Sequence, residues 1–241
     1  MPGSGYALVT GASGDIGRSI AAALAKEGYD LYLTCFNNEA ALTSLKDMLI
    51  KDYDVNVKCY KGDISDPVFV REIFKDISTL DVLVNNAGIS YVGLIQDMTD
   101  EEWERVINTN LSSVFYTSRE ALKLMIRRHA GRIINISSVF GEFGGSMEAA
   151  YSASKGGVNA LTKALAKETA ASNISINAIS CGFIDTKMNS RLSAEEKASI
   201  KEDIPADKFG TSEDVSSMVV NLINSPLYLT GQIIRLDGGW M

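Results

Sequence analysis

YALVTGASGDIG, residues 6–17, joins a short apolar run to a glycine-rich turn. The apolar run before Gly11 predicts a short buried strand. Residues 18–27, RSIAAALAKE, predict an Ala-rich amphipathic helix that Gly28 ends. Glycines allow a backbone to approach a phosphate closely, and a helix N-terminus offers unpaired N–H groups and the positive end of a dipole. An ordinary turn also uses glycines, but the flanking strand and helix favour a dinucleotide-binding turn.

The rest of the chain continues to alternate strand-like and helix-like segments. Further strands are predicted at 30–35, 55–61, 82–84, 132–136, 175–179 and 233–236. Helices are predicted at 38–53, after the Asp66-Pro67 cap, at 99–128, at 150–171, after Ser193 and at 212–223. This order predicts an α/β fold: a single Rossmann-type, doubly wound domain over residues 1–241, with a seven-stranded parallel sheet flanked by helices on both faces. Segment 183–210 is long and rich in charge, and we expect it to be a substrate-loop insertion that forms a lid.

Tyr151 and Lys155 lie four residues apart on one predicted helix, and Ser138 ends the preceding strand. Residues at i and i+4 share a helix face, so that the phenol and the ammonium can point into one site. A nearby ammonium favours the phenolate, and we therefore expect Lys155 to lower the pKa of Tyr151 from about 10. A tyrosine tuned in this way exchanges protons near neutral pH. A Tyr-x-x-x-Lys pair alone is common on amphipathic helices, so this interpretation depends on the glycine turn that accompanies it.

These motifs occur in an order that is known from one family. The chain resembles the short-chain dehydrogenase/reductase family over nearly its whole length, through TG-x5-G (10–17), NNAG (85–88), Asn110, Ser138, Tyr151 and Lys155. Within the family it is similar to bacterial beta-ketoacyl (3-oxoacyl) acyl-carrier-protein reductases, through NTNLSSVF (108–115), GRII (131–134), TGQ (230–232) and DGG (237–239). Jointly these motifs are specific, although each of them alone is not.

The resemblance implies a catalytic set of Asn110, Ser138, Tyr151 and Lys155. In this family Ser138 and Tyr151 would hold the carbonyl oxygen, Lys155 would bind the nicotinamide ribose, and Asn110 would hold a water that connects Lys155 to solvent. The resemblance also implies a cofactor site made of Gly11, Ser13, Asp15, Ile16, Gly17, Asn37, Asp63, Ile64, Asn86, Ala87, Gly88, Tyr151, Lys155, Gly182, Ile184 and Thr186. Asp63 would contact the adenine there, and a turn or helix-capping role is the alternative for this residue.

The end of the second predicted strand bears on which nicotinamide cofactor is used. NAD-binding folds of this type place an acidic residue about 20 residues beyond the glycine motif, on the ribose 2′-OH. Here residues 34–38 read TCFNN, with no acid before Glu39. A 2′-phosphate requires a cation, for which Arg18 and Lys46 are the nearby candidates, and Gly14 lies where NADP-using relatives often carry Arg. We expect NADP (NADPH) as the cofactor, with NAD less favoured.

Three features depart from the family pattern. Asp15 replaces the middle glycine of the turn, and we expect its carboxylate to point outward and cap the helix start. Cys181 replaces a proline beside the nicotinamide pocket, where we expect it to pack rather than react. His129 and Ser172 stand where carrier-protein reductases often have arginines that bind an acidic carrier. The last departure leaves docking of an acyl carrier protein open.

The pattern favours NADPH-dependent reduction of a ketone to a secondary alcohol. The expected substrate is a 3-oxoacyl thioester on an acyl carrier protein, in fatty acid biosynthesis. The chain also resembles, at Phe140, Glu148 and Trp240, reductases that act on the ketone of a modified lysine in translation elongation factor P. A small diffusible ketone or alcohol is a third substrate class, and a non-catalytic NADP-binding regulatory protein is the alternative from another functional class. The complete catalytic set argues against that last interpretation.

Composition limits the partners and the compartment. The 241 residues carry a net charge of −7, with no basic run longer than Arg127-Arg128, so neither nucleic acid nor an anionic membrane is expected as a partner. No apolar run approaches the ~20 residues of a membrane span, and no signal peptide is visible. Three scattered cysteines and one histidine predict a reducing, cytoplasmic environment and no metal site. The family resemblance implies a homotetramer that pairs helices 99–128 and 150–171 with their symmetry mates.

Overall fold

The computed structural model describes residues 5–190 and 192–241 and contains a seven-stranded sheet. The strands are β1 (Tyr6–Val9), β2 (Asp30–Cys35), β3 (Val57–Lys61), β4 (Val82–Asn85), β5 (Gly131–Ser138), β6 (Ile174–Cys181) and β7 (Ile233–Leu236). Every neighbouring pair is parallel, in the order β3-β2-β1-β4-β5-β6-β7. This is the doubly wound parallel sheet that the alternation of strands and helices predicts.

Helices connect the strands and cover both faces of the sheet. They are α1 (Asp15–Lys26), α2 (Glu39–Tyr53), α3 (Pro67–Lys75), α4 (Asp100–Ile107), α5 (Ser113–Arg128), α6 (Phe140–Phe143), α7 (Ala149–Thr169), α8 (Ala194–Glu202) and α9 (Ser212–Asn224). The predicted caps are present: the Asp66 side chain accepts from Val68 N–H before α3, and Thr99 and Ser193 open α4 and α8 with capping boxes.

The hydrophobic core lies in two layers, one on each face of the sheet. Alternation along β1 sends Ala7 and Val9 to one face and Leu8 to the other. The first layer is closed by apolar residues of α1, α2 and α9, and the second by those of α3, α5 and α7. Because both faces are buried, β1 and β4 are almost continuously apolar, as parallel strands usually are, whereas β5 and β6 also bury polar side chains such as Asn135 and Asn177.

The predicted helix 99–128 is not a single α-helix. A π-helical turn, Asn108–Ser112, separates α4 from α5. The Asn110 side chain accepts a hydrogen bond from Ile89 N–H at 2.8 Å and donates one to Ile89 O at 2.8 Å. These bonds tie the wide turn to the loop after β4. Turns of this kind are frequent at functional sites, and this one lies beside the cleft described next.

Candidate active site

The carboxyl ends of the central strands open into a cleft of about 1380 Å³. The cleft lies where the strand order changes direction between β1 and β4, which is where doubly wound sheets leave a crevice for ligands. Of the residues predicted for the site, only Asn110 lies outside the cleft lining. The lining contains Gly11, Ser13, Asp15, Ile16, Gly17, Asn37, Asp63, Ile64, Asn86, Ala87, Gly88, Ser138, Tyr151, Lys155, Gly182, Ile184 and Thr186.

The glycine turn forms a cradle that side chains would fill. Gly11 has a φ of +66°, and a Cβ atom on it would lie 2.9 Å from Ala87 Cα. A Cβ atom on Gly17 would collide with Gly11 O. No side chain caps the N-terminus of α1, so the first N–H groups of this helix are available to a ligand. The cradle therefore fits the diphosphate of a dinucleotide.

Thr10 and Asn86 hold the two sides of this cradle together. The Thr10 hydroxyl oxygen accepts hydrogen bonds from the N–H groups of Asn86 and Ala87, each at 3.0 Å. The Asn86 amide donates to Thr10 O at 2.9 Å and to Gly11 O at 3.2 Å. The loop after β4 is thus fixed against the glycine turn. The role of Thr10 was not predicted, although a threonine that ends a buried strand is a signal for it.

The three predicted reactive side chains meet at one end of the cleft. Ser138 ends β5, and its hydroxyl lies near enough to Tyr151 to lower the pKa of the phenol. The Lys155 ammonium donates to Ile136 O at 2.8 Å and lies 5.6 Å from the centre of the Tyr151 ring. Because an ammonium has three donors, two remain for a ligand in the cleft. The serine, the tyrosine and the lysine therefore share one reaction site.

Burial controls the acidity of this cluster. It raises the pKa of Tyr151, although the neighbouring Ser138 hydroxyl opposes the shift. This direction is opposite to the one expected from the sequence, because Lys155 contacts the ring and Ile136 O rather than the phenol oxygen. Burial also lowers the pKa of Lys155 to about 8. At neutral pH the cluster consequently holds a phenol and an ammonium.

Asn110 lies outside the cleft lining and supports the residues that form it. Its side chain is fully buried and bonds both Ile89 and the Ser154 hydroxyl, the latter at 3.1 Å. A Cβ atom on Gly88 would lie 3.3 Å from Asn110 Oδ1 and 3.6 Å from Lys155 Nζ. Asn110 therefore positions the loop that carries Gly88 beside Lys155. Its side-chain amide bonds protein groups, and its predicted place in a water relay stays a prediction.

The adenosine end of the cleft is formed by the ends of β2 and β3. Asp63 lines it, and Asp63 Oδ1 accepts from Ser65 N–H at 2.8 Å and from the Ser65 hydroxyl at 2.7 Å. The carboxylate thus also serves the turn that was its alternative role. Among the described residues the charged ones that line the cleft are Asp15, Asp63, Arg105, Glu148, Lys155 and Lys187. Arg18 and Lys46, the predicted partners of a 2′-phosphate, are absent from that lining.

Asp15 does not point outward to cap α1, as the sequence suggested. The helix has Gly14 as its N-cap residue and no side-chain cap. Instead, Asp15 Oδ2 accepts a hydrogen bond of 2.7 Å from the main-chain N–H of Lys187, across the cleft. The carboxylate is in the first turn, where a negative charge suits the helix dipole.

Cys181 is buried at the end of β6, beside the catalytic cluster. Burial raises the pKa of its thiol to about 12, so the thiol stays neutral at physiological pH. The cysteine extends the strand pairing with β5, and its carbonyl oxygen accepts from Val139 N–H at 2.9 Å. A packing role is what these contacts support.

Several residues of the cleft wall were not predicted. Arg105 and Thr109 project from α4 and the π turn, and Lys187 follows the predicted cofactor contact at Thr186. Trp240, close to the C-terminus, lines the cleft and packs its ring 5.8 Å from that of Phe140. Residues that are 100 positions apart in sequence meet here through the crossover topology, which local patterns do not reveal.

Comparison with known proteins agrees with this geometry. Residues 5–197 match the family model described as short chain dehydrogenase. The chain is 38% identical over 238 residues to a Staphylococcus epidermidis protein named 3-oxoacyl-[acyl-carrier-protein] reductase FabG, covering 97% of both chains. Proteins of the same name from Staphylococcus aureus and Salmonella typhimurium are 39% and 37% identical, with 97% of this chain and 96% of theirs covered. A crystal structure of a candidate gluconate dehydrogenase from Agrobacterium tumefaciens superposes with a TM-score of 0.94 at 33% identity, covering 99% of this chain and 96% of that one.

The Rossmann-type sheet, the glycine cradle and the Ser-Tyr-Lys cluster define a nicotinamide-dependent oxidoreductase that acts on CH–OH or C=O groups. The chain belongs to the short-chain dehydrogenase family. Within residues 5–190 and 192–241, no helix is long and apolar enough to cross a membrane, and no group of three His, Cys, Asp or Glu side chains is arranged to hold a metal ion.

Proposed function

We propose that this protein is an NADPH-dependent ketoreductase that converts a 3-oxoacyl thioester, carried by an acyl carrier protein, to the 3-hydroxyacyl thioester. The observation that carries the proposal is the convergence of Ser138, Tyr151 and Lys155 on one cleft, which the glycine cradle also lines. The similarity to 3-oxoacyl-[acyl-carrier-protein] reductases over almost the full length supports the same substrate class.

Ser138 and Tyr151 perform the acid–base part of the reaction. Their hydroxyl groups together bind the substrate carbonyl oxygen, on which negative charge develops. Tyr151 is a phenol at neutral pH, so it donates its proton to that oxygen. Lys155, an ammonium at the same pH, stabilises the phenolate that results and donates to the ribose hydroxyls of the cofactor. Bound NADPH supplies the hydride that reduces the carbonyl carbon.

Two features of the cleft support the choice of NADPH. The residues at the end of β2 that line it, Phe36, Asn37 and Asn38, include no carboxylate that would accept from a ribose 2′-OH. Asn37 and Asn38 offer neutral amide donors to the 2′-phosphate.

A second candidate substrate is the ketone on a modified lysine of translation elongation factor P. The packing of Trp240 on Phe140 at the cleft favours it, because a large aromatic wall suits a ligand presented on another protein. His129 is exposed at the end of α5, where an acidic carrier would otherwise meet an arginine. Direct competition between the two substrates distinguishes the candidates.

The decisive assay follows oxidation of NADPH, and separately of NADH, with an acetoacetyl thioester. The Tyr151→Phe variant is the control, because it removes the proton donor and retains the ring. We expect turnover with NADPH and a loss of kcat of about 10²–10⁴-fold in the variant. Tight NADPH binding without turnover of any thioester would exclude the acyl-thioester substrate; turnover of the modified elongation factor alone would assign the second candidate. No turnover of either substrate would leave a regulatory NADP-binding role.

The assembly that we propose is a homotetramer in the cytoplasm. A shallow groove between α5 and α7 is lined by Leu111, Ser112, Phe115, Tyr116, Gly157, Ala160, Leu161 and Ala164. Phe115 is 43% exposed in the single chain, whereas Val114 beside it is core. Small residues on α7 allow a second copy of the helix pair to approach closely. Residues 183–210 remain, in our proposal, the lid of a single domain.

A further inference from the structure

The contact between Asp15 and Lys187 joins two parts of the chain that are 172 residues apart in sequence. Asp15 is the first residue of α1, at the phosphate cradle. Lys187 opens a short 3-10 turn, Lys187–Asn189, inside segment 183–210. Both residues line the cleft.

Among the described residues, few other hydrogen bonds or ion pairs attach this segment to the rest of the chain, although Ile184 packs into the core. Considering residues 183–190 and 192–205, all of which are described, every other hydrogen bond and ion pair stays within 183–210. At the far end, Ala206 N–H donates to Gly238 O at 3.0 Å. The part of the segment that covers the cleft is therefore fixed to the glycine turn through the Asp15 carboxylate.

The contact also explains why a carboxylate is tolerated in a phosphate cradle. A negative charge in the first turn of α1 repels a bound diphosphate, and it repels it less when its oxygens are directed away from the cradle. The hydrogen bond to Lys187 N–H directs Oδ2 toward the lid. The glycine usual for the family has no side chain with which to make this bond.

We propose that Asp15 is a positioning residue that latches the substrate lid to the cofactor turn. The inference rests on the proposed function, since it makes closure of the lid and cofactor binding one coupled event. Predicted cofactor contacts lie on both sides of the latch, at Ser13 and Ile16 on the turn and at Ile184 and Thr186 on the lid. The latch holds the two sides at the spacing that the cofactor requires.

The test compares Asp15→Ala with Asp15→Asn, because the amide keeps an acceptor oxygen and loses only the charge. Limited trypsin digestion of the ligand-free protein is followed by mass spectrometry at the bond after Lys187. We expect cleavage of Asp15→Ala to be faster than that of wild type by roughly two- to tenfold, the factor that one hydrogen bond contributes to a local opening equilibrium. Asp15→Asn should be cleaved at close to the wild-type rate. Glu213→Ala, which removes an exposed carboxylate from the first turn of α9, is the matched control.

Equal cleavage of wild type and Asp15→Ala overturns the latch, and so does Asp15→Asn cleaved as fast as Asp15→Ala. NADPH titration of the same proteins gives a second readout. Asp15→Asn should bind NADPH roughly two- to fivefold more tightly than wild type, since it loses the repulsive charge and keeps the bond. A wild type that binds no NADPH would refute the proposed function, while the digestion of the ligand-free protein would still decide whether the latch exists.

Discussion

The ammonium nitrogen of Lys155 lies 5.6 Å from the centre of the Tyr151 ring. In this position the lysine contacts the π-face of the tyrosine, and a hydrogen bond of 2.8 Å to Ile136 O holds it there. Charge that develops on the phenol oxygen during proton donation appears close to a cation that is already in place. Because Lys155 is buried and Tyr151 is half-buried, water screens their interaction only in part.

The lowered pKa of Lys155 predicts how stability depends on pH. A lysine with a pKa of about 8 in the folded protein and of about 10.5 when unfolded binds fewer protons in the folded state between these values. The free energy of unfolding contributed by Lys155 therefore rises as pH increases from about 8 to 10. We expect the free energy of unfolding of wild type to rise, relative to that of Lys155→Met, by roughly 1 kcal/mol for each pH unit in this window.

Urea denaturation of both proteins at several pH values measures this difference. The raised pKa of Cys181 acts in the opposite direction above pH 9, because the unfolded thiol then loses its proton first. Burial, the larger cause of that shift, is common to both proteins, whereas the lowering of the thiol pKa by Lys155 is lost in Lys155→Met. The comparison is therefore made below pH 9, where the thiol is protonated in the folded and the unfolded chain. A difference that stays constant from pH 7 to 9 would show that Lys155 titrates normally in the folded protein.

The cofactor prediction concerns Asn37, at the end of β2. Asn37→Asp places a carboxylate where it repels a 2′-phosphate and accepts from a 2′-OH. We expect the ratio of kcat/KM for NADPH to that for NADH to fall by about tenfold or more, which corresponds to roughly 1.4 kcal/mol. Asn221→Asp, an exposed change of the same charge on α9, is the control and should leave the ratio unchanged. An unchanged ratio in Asn37→Asp would place the 2′ position elsewhere.

The sequence predicted a seven-stranded parallel sheet, because glycine turns, strand ends and caps are local signals, and the family resemblance supplied the site residues that line the cleft. The π turn at Asn110 was not predictable in this way, since it depends on hydrogen bonds to Ile89, 21 residues earlier. The direction of the Tyr151 pKa was wrong for a similar reason: spacing places Lys155 on the same helix face, but burial determines the shift. The Asp15–Lys187 contact joins segments whose proximity exists only in the folded chain.

The exposed Phe115 ring predicts the consequence of changing the α5–α7 groove. Phe115→Glu would bury a carboxylate between two copies of the helix pair, which costs more than the contact contributes. We expect the tetramer to dissociate into smaller species, as measured by light scattering coupled to size-exclusion chromatography. Phe143→Glu changes a ring that is similarly exposed but lies on α6, outside the groove, and it serves as the comparison. If the tetramer dissociated only in Phe143→Glu, the principal interface would lie on the C-terminal side and not at the α5–α7 groove.

Trp240 is expected to set the size of the ketone that the cleft accepts. Its ring packs on Phe140, and the tail that carries it is held by bonds from Gly239 N–H and Met241 N–H to the Asp237 carboxylate and by Arg235 to Met241 O. Trp240→Ala would leave that tail in place and remove one apolar wall. KM for a short acetoacetyl thioester should then rise by roughly tenfold through lost apolar contact. KM for a longer 3-oxoacyl thioester should rise less, because the longer chain can occupy the vacated space. Trp103→Ala truncates the chain's other tryptophan, which lies on α4 outside the cleft lining, and should change neither value. If Trp240→Ala raised KM equally for short and long substrates, the tail would serve the stability of the site rather than its selectivity, and the choice of substrate would lie with the lid.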